Sequence, residues 1–124
     1  MSSSPSWTAD RAALQMLYVR TDSFKADYKR LSSAEREAFK MCCLAFSAAC
    51  DAYVAEHQSF PASLRVKPVQ AAPGIFEMTW SFSGPDGRAT WEWSSVEVAV
   101  GSKTTTRPCV LWRRVGSHAI FSNP

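Results

Sequence analysis

The 124-residue chain predicts a small α+β fold in which two antiparallel helices pack on one side of a twisted, mainly antiparallel sheet. Three observations carry that expectation. Two helical patterns follow one another before residue 61 and meet at Ser32. After Phe60-Pro61 the texture changes to short runs rich in Val, Thr, Phe and Trp, separated by Gly and Pro, which is how strands and their turns read. Hydrophobic residues make up 46% of a chain of ordinary domain length, enough to bury a core without staples or metal. No repeat is present, so residues 16–124 read as one domain behind a tail or short helical extension at 1–15.

Each element has its own local reason. Leu14 to Thr21 suits a helix face or a strand, and Met16 to Thr21 is read as a strand. Ser23 is placed to cap a short helix running through Leu31, with Phe24, Tyr28 and Leu31 as its apolar stripe. Ser32 followed by Glu35 forms a capping box that opens a second helix. Phe39, Cys42, Cys43, Phe46, Cys50, Tyr53 and Val54 then recur at three- and four-residue spacing, which carries that helix to about Glu56. Leu64 to Lys67 is a candidate short strand, with Arg65 and Lys67 on one face. Ile75 to Ser83 alternates Phe76, Met78, Trp80 and Phe82 against Glu77, Thr79 and Ser81. Gly84-Pro85-Asp86-Gly87 suits a hairpin turn, and Arg88 to Ser94 sets Ala89, Trp91 and Trp93 against Arg88, Thr90 and Glu92. A polar connection, Ser102 to Pro108, leads to a last strand, Cys109 to Val115, alternating Val110, Trp112, Arg114 against Leu111, Arg113, Val115. The strand tryptophans alternate with polar residues and so read as core, whereas Phe121 lies outside the alternation and is the better base-stacking candidate.

Composition narrows the function classes. A charged fraction of 20% with 12% aromatics excludes a disordered tail, and no uninterrupted run of about 18 apolar residues reads as a membrane span. Met1 to Trp7 has neither a basic region nor an apolar core, so no signal peptide and a cytoplasmic location are expected. The net charge of +3 divides unevenly. Residues 1–61 carry seven basic and seven acidic side chains, whereas residues 62–124 carry seven basic and four acidic. A local arginine-rich excess of that size is compatible with a phosphate-binding face. The four cysteines lack the spacing of a zinc or redox motif, so buried reduced thiols, and no metal or cofactor, are expected. Walker, Rossmann, HExxH and Gly-x-Ser-x-Gly motifs do not occur. What remains is a strand that delivers Arg113 and Arg114 and then His118 beyond Gly116. An imidazole can give a proton to a leaving oxygen, and a guanidinium can grip phosphate oxygens with two parallel hydrogen bonds.

Two segments, Tyr18 to Leu31 and the ending Arg114-Val115-Gly116-Ser117-His118-Ala119-Ile120-Phe121, together with the element order, resemble the RelE/ParE superfamily of bacterial type II toxins. The ending looks most like the YafQ branch, in which an Arg-x-Gly-Ser/Thr-His-x-x-Leu/Ile-Phe motif closes the last strand. The resemblance spans roughly residues 16 to 121, by elements in order. It implies a messenger-RNA endonuclease acting on the ribosome, held inactive by a cognate antitoxin, with no membrane or metal partner. By the same resemblance His118 is the catalytic histidine, Arg114 the arginine four residues before it, and Phe121 the residue that helps hold a base. Arg88 matches the arginine that follows the middle turn, and Glu77 a variable charged position in the preceding strand.

The implied chemistry needs a base for the ribose 2′-hydroxyl, cations for the phosphorane and an acid for the leaving 5′ oxygen. The expectation is His118 as acid, Arg88 and Arg114 as phosphorane ligands, and Glu77 or Glu92 as base, with Arg113 against ribosomal RNA or an antitoxin carboxylate and Arg65 and Lys67 as candidates for binding RNA phosphate. Ser83 to Trp93 contains no histidine, unlike the YafQ-like pattern. Two rival functions stay open: a ParE-like toxin that inhibits a topoisomerase by binding, and a degenerate member that only binds.

Overall fold

A computed structural model describes residues 16–81 and 87–124 of the chain. Strand β1 (Leu17–Arg20) leads into helices α1 (Asp22–Arg30) and α2 (Ser33–Glu56). A 3-10 turn (Ala62–Leu64), strands β2 (Lys67–Pro68), β3 (Phe76–Ser81), β4 (Gly87–Val100) and β5 (Lys103–Gly116), and a closing 3-10 turn (His118–Ser122) follow. The architecture is α+β, a small single domain with two helices and a five-stranded mixed sheet of order β1-β5-β4-β3-β2. β1 runs parallel to β5, while β5–β4, β4–β3 and β3–β2 pair antiparallel. The expected tail or extension at 1–15, and Phe82 to Asp86 with most of the expected hairpin turn, lie outside the described residues.

The capping box is present as expected: the Ser32 hydroxyl accepts from the Glu35 amide at 3.1 Å, and the Ser32 amide donates to the Glu35 carboxylate at 2.7 Å. α1, however, is capped by Thr21 and not by Ser23, because the Thr21 hydroxyl sits where it can accept from the Phe24 amide at 3.0 Å. The same hydroxyl donates to the Arg113 carbonyl at 2.8 Å, which fastens the start of α1 to β5.

Aromatic side chains join helices to sheet. Phe24 of α1 lies 5.7 Å from Trp112, and Phe46 of α2 lies 5.1 Å from both Trp91 and Trp112, between ring centroids. Phe39 bridges Trp112 and Trp80 edge-on, at 5.3 and 6.0 Å. Each such pair adds about 0.5–1.5 kcal/mol beyond its buried area. Trp80, Trp91 and Trp112 are buried, as the alternation predicts, and Trp93 is half-buried. Gly87 is required where it stands, since a Cβ there would lie 2.4 Å from the Trp80 ring, whose indole N–H donates to the Arg88 carbonyl.

Cys50 and Cys109 are fully buried, and Cys42 and Cys43 half-buried; all four are free thiols. Burial pushes the Cys43 and Cys50 thiols up to about 12. α2 is long and apolar enough to cross a membrane by length and composition alone, with mean hydropathy 1.4 over its best 18 residues. Its Phe39, Phe46, Ala49 and Cys50 are nonetheless buried in the protein core.

Three expectations in the strand half are corrected. Leu64 to Lys67 is not a strand: Ala62–Leu64 is a 3-10 turn closed by Arg65 in the left-handed region (φ 51°), and β2 keeps only Lys67–Pro68. Pro68, the second residue of β2, lacks the N–H a longer ladder needs. Ser102 to Pro108 is not a connection, because β4 continues to Val100 and β5 starts at Lys103, pairing from Ser94↔Cys109 out to Val100↔Lys103. The turn is only Gly101-Ser102, Gly101 supplying positive φ (63°), and the β-branched run Thr104 to Thr106 fits a strand despite its polarity. Finally, the alternation along β5 breaks. Thr90 faces Arg114 while Trp91 faces Trp112, so Arg113 is an extra residue, a β-bulge. Beyond it the faces exchange, and Val115, not Arg114, joins Val110 and Trp112 in the core.

Candidate functional site

The register assembles the site on the face of the sheet that carries the polar residues. Glu77 stands opposite Thr90, Thr79 opposite Arg88, and Arg88 opposite Gly116. After Gly116 the chain folds back over this face as the 3-10 turn His118–Ser122. The Ser117 hydroxyl opens the turn by accepting from the Ala119 amide, and Ile120 anchors it by burial. A Cβ on Gly116 would meet Ile120 at 3.0 Å, so a small residue lets the turn close.

Lys67, Gln70, Glu77, Arg88, His118 and Phe121 thereby line one open hollow of about 640 Å³. Glu77 is its electrostatic centre. One carboxylate oxygen lies 3.9 Å from Arg88 Nε and 4.0 Å from Lys67 Nζ, and the Glu77 side chain is only 12% exposed. Arg88 also donates to the Gly87 carbonyl at 3.3 Å. His118 is exposed and meets Phe121 edge-on, with ring centroids 4.8 Å apart. An imidazole, two cations, a carboxylate and an aromatic side wall thus border one open hollow.

Arg114 does not line this hollow. It forms a two-pronged ion pair with Asp27 of α1, at 2.6 Å from Nε and 3.0 Å from Nη2, and its Nη1 donates to the Asn123 carbonyl at 3.0 Å. Its hydrogen bonds to Asp27 push the guanidinium pKa above its ordinary value. Asp27, 6% exposed, also accepts from the Val115 amide at 3.2 Å. β1 stops pairing with β5 at Trp112, and the carboxylate takes over the edge that β1 leaves. Arg113 pairs with Glu92 at 2.6 Å and donates to the Pro124 carbonyl, so Glu92 too lies away from the hollow. Arg65 occupies the left-handed cap before β2 and is not part of the lining.

Sequence reading missed two features. Asp27 falls three residues after Phe24 and four before Leu31, on the apolar stripe of α1, where a carboxylate needs a buried cation. That spacing was legible. The second is an aromatic hollow of about 330 Å³ on the other side of β2, lined by Tyr53, Phe60, Phe76, Trp91 and Trp93. It meets the first hollow at Lys67 and Pro68, which belong to both. Trp91 is fully buried, and its indole N–H has no hydrogen-bond partner among the described residues. No protein-family model, curated protein or solved structure matches this chain.

Proposed function

We propose that the protein is a ribosome-dependent messenger-RNA endonuclease of the RelE/ParE type, restrained by a cognate antitoxin protein. In this reading the helices lie antiparallel on one side of a mainly antiparallel sheet, and the opposite side takes the RNA. The observation that carries it is the hollow shared by His118, Arg88, Glu77 and Lys67, at the end of the strand whose Arg-x-Gly-Ser-His sequence resembles that family.

Glu77 accepts the proton of the ribose 2′-hydroxyl. The 2′ oxygen attacks phosphorus as the bond to the 5′ oxygen breaks, and His118 gives that oxygen its proton, leaving a 2′,3′-cyclic phosphate and a free 5′-hydroxyl. Arg88 and Lys67 face the phosphorane, where each positioned donor is worth about 10²–10³ in rate. Lys67 takes the place first assigned to Arg114, because Arg114 is held by Asp27. Phe121 braces the imidazole and borders the base.

The test is induction of the wild type and His118→Ala in a bacterium, with 5′ ends of translated messages mapped and DNA supercoiling assayed alongside. Codon-phased ends that vanish in the variant support the endonuclease. Intact messages with blocked supercoiling select the topoisomerase inhibitor, and no effect on either selects a binding module.

A further inference from the structure

We propose that the aromatic hollow behind β2 receives an unpaired base of the RNA strand whose phosphate lies in the His118 hollow, the strand crossing the sheet edge at Lys67-Pro68. This rests on the RNA-cleaving reading and adds a second contact for the same substrate. The two hollows share Lys67 and Pro68 as a common wall, so one flexible ligand can occupy both.

The chemistry of the wall favours a base over other occupants. Tyr53 and Trp93 lie nearly parallel, 15° between planes and 5.5 Å between centroids, and Phe76 and Trp91 are similarly stacked at 25° and 4.9 Å. These rings are stacked on one another, so a base joins the pile at the ring faces and edges that line the hollow, and every nucleobase offers a π-face for that. Tyr53 is 39% exposed, so the platform can be reached from solvent. The ammonium of Lys67, on a 66% exposed side chain, stands at the boundary between the hollows, where a strand with one base inserted must carry its backbone phosphate. A partner strand added to this edge is the poorer fit: β2 has two residues, and Pro68 offers no N–H.

The experiment uses the full chain carrying His118→Ala, so that RNA stays uncut, with a short single-stranded RNA containing 4-thiouridine. The expected crosslinks fall on the Tyr53–Phe60 and Trp91–Trp93 segments as well as on the His118 turn. Tyr53→Ser and Trp93→Leu should each weaken RNA binding by about tenfold, the scale of losing one stacked ring, while inorganic phosphate binds unchanged. Tyr53→Phe and Trp93→Phe should restore most of the affinity, and equal unfolding midpoints show that the effect is local. Equal RNA affinity in all variants, crosslinks confined to the His118 turn, or ribose phosphate competing as well as a mononucleotide would each overturn the base site. If the wild type cuts messages and the ring variants cut with unchanged KM, the base site alone falls. If the rings hold RNA that the wild type does not cut, the cleavage reading alone falls.

Discussion

Arg88 and Arg114 sit on neighbouring strands two register positions apart, and their side chains are about equally sheltered, 15% and 22% exposed, yet their surroundings differ. Arg114 is clamped by Asp27 at 2.6 and 3.0 Å and by a backbone carbonyl, in a cluster that also ties Arg113 to Glu92 and to Pro124. Arg88 faces Glu77 at 3.9 Å across an open hollow. Exposure does not separate the two roles. The carboxylate geometry does: the fork of Arg114 is filled by buried Asp27 and has no geometry left for a phosphate, whereas Arg88 meets Glu77 at 3.9 Å in the wall of the open hollow.

The largest expected effect belongs to the open region. His118→Ala should lower RNA cleavage by about 10²–10⁴, the usual worth of a positioned acid, with the unfolding midpoint unmoved because the ring is exposed. A destabilised variant would erase the contrast between the two regions. Next is the closed cluster, where Asp27→Ala leaves Arg114 without its carboxylate and the Val115 amide without its acceptor. It should cost about 3–5 kcal/mol in urea unfolding, while cleavage per folded molecule below the transition is retained. Loss of cleavage at full folding would place Arg114 in the chemistry after all. A smaller change sharpens the same boundary: Thr21→Ala removes the α1 cap and its bond to Arg113, and should cost about 0.5–2 kcal/mol by thermal unfolding. The smallest effect near neutrality comes from neither region. Cys43 and Cys50 are raised by burial to about 12, so the folded state keeps thiol protons that the unfolded chain gives up from about pH 9. Their contribution is complete below pH 9 and is lost as pH climbs toward 12. Urea midpoints should therefore fall across that window, in the wild type and in Thr21→Ala alike.

How much of this was legible follows from what each feature depends on. The capping box at Ser32 and Glu35 and the core side of Phe76, Met78, Trp80, Ala89 and Trp91 are local or strictly periodic, and they appear where the pattern puts them. His118, Glu77, Arg88 and Lys67 were named as site residues, and they line one hollow. Arg114 was named with them because it matches the arginine of the closing motif in the family the chain resembles, and it lies outside that hollow, held by Asp27. The bulge at Arg113 reverses the faces of β5, and no alternation rule announces a bulge in advance. The outer part of the β4–β5 ribbon was misread because its threonines are polar, although their branching suits a strand. The aromatic hollow had no signal at all, since Tyr53, Phe60, Phe76 and Trp93 come from four separate segments.

By itself the sequence determined the α+β class, the second helix from its first residue to its last turn, the aromatic core, and the gathering of excess positive charge in the strand half. These depend on spacing, caps and composition, which act over a few residues and are written in order along the chain. Only the tertiary structure decided which arginine lines the open hollow and which is consumed by Asp27. It also decided that the edge strand at Lys67-Pro68 divides two hollows. Those outcomes turn on strand register and on a carboxylate 87 residues away in sequence. Contacts of that range are set by how whole elements pack, not by any neighbour along the chain.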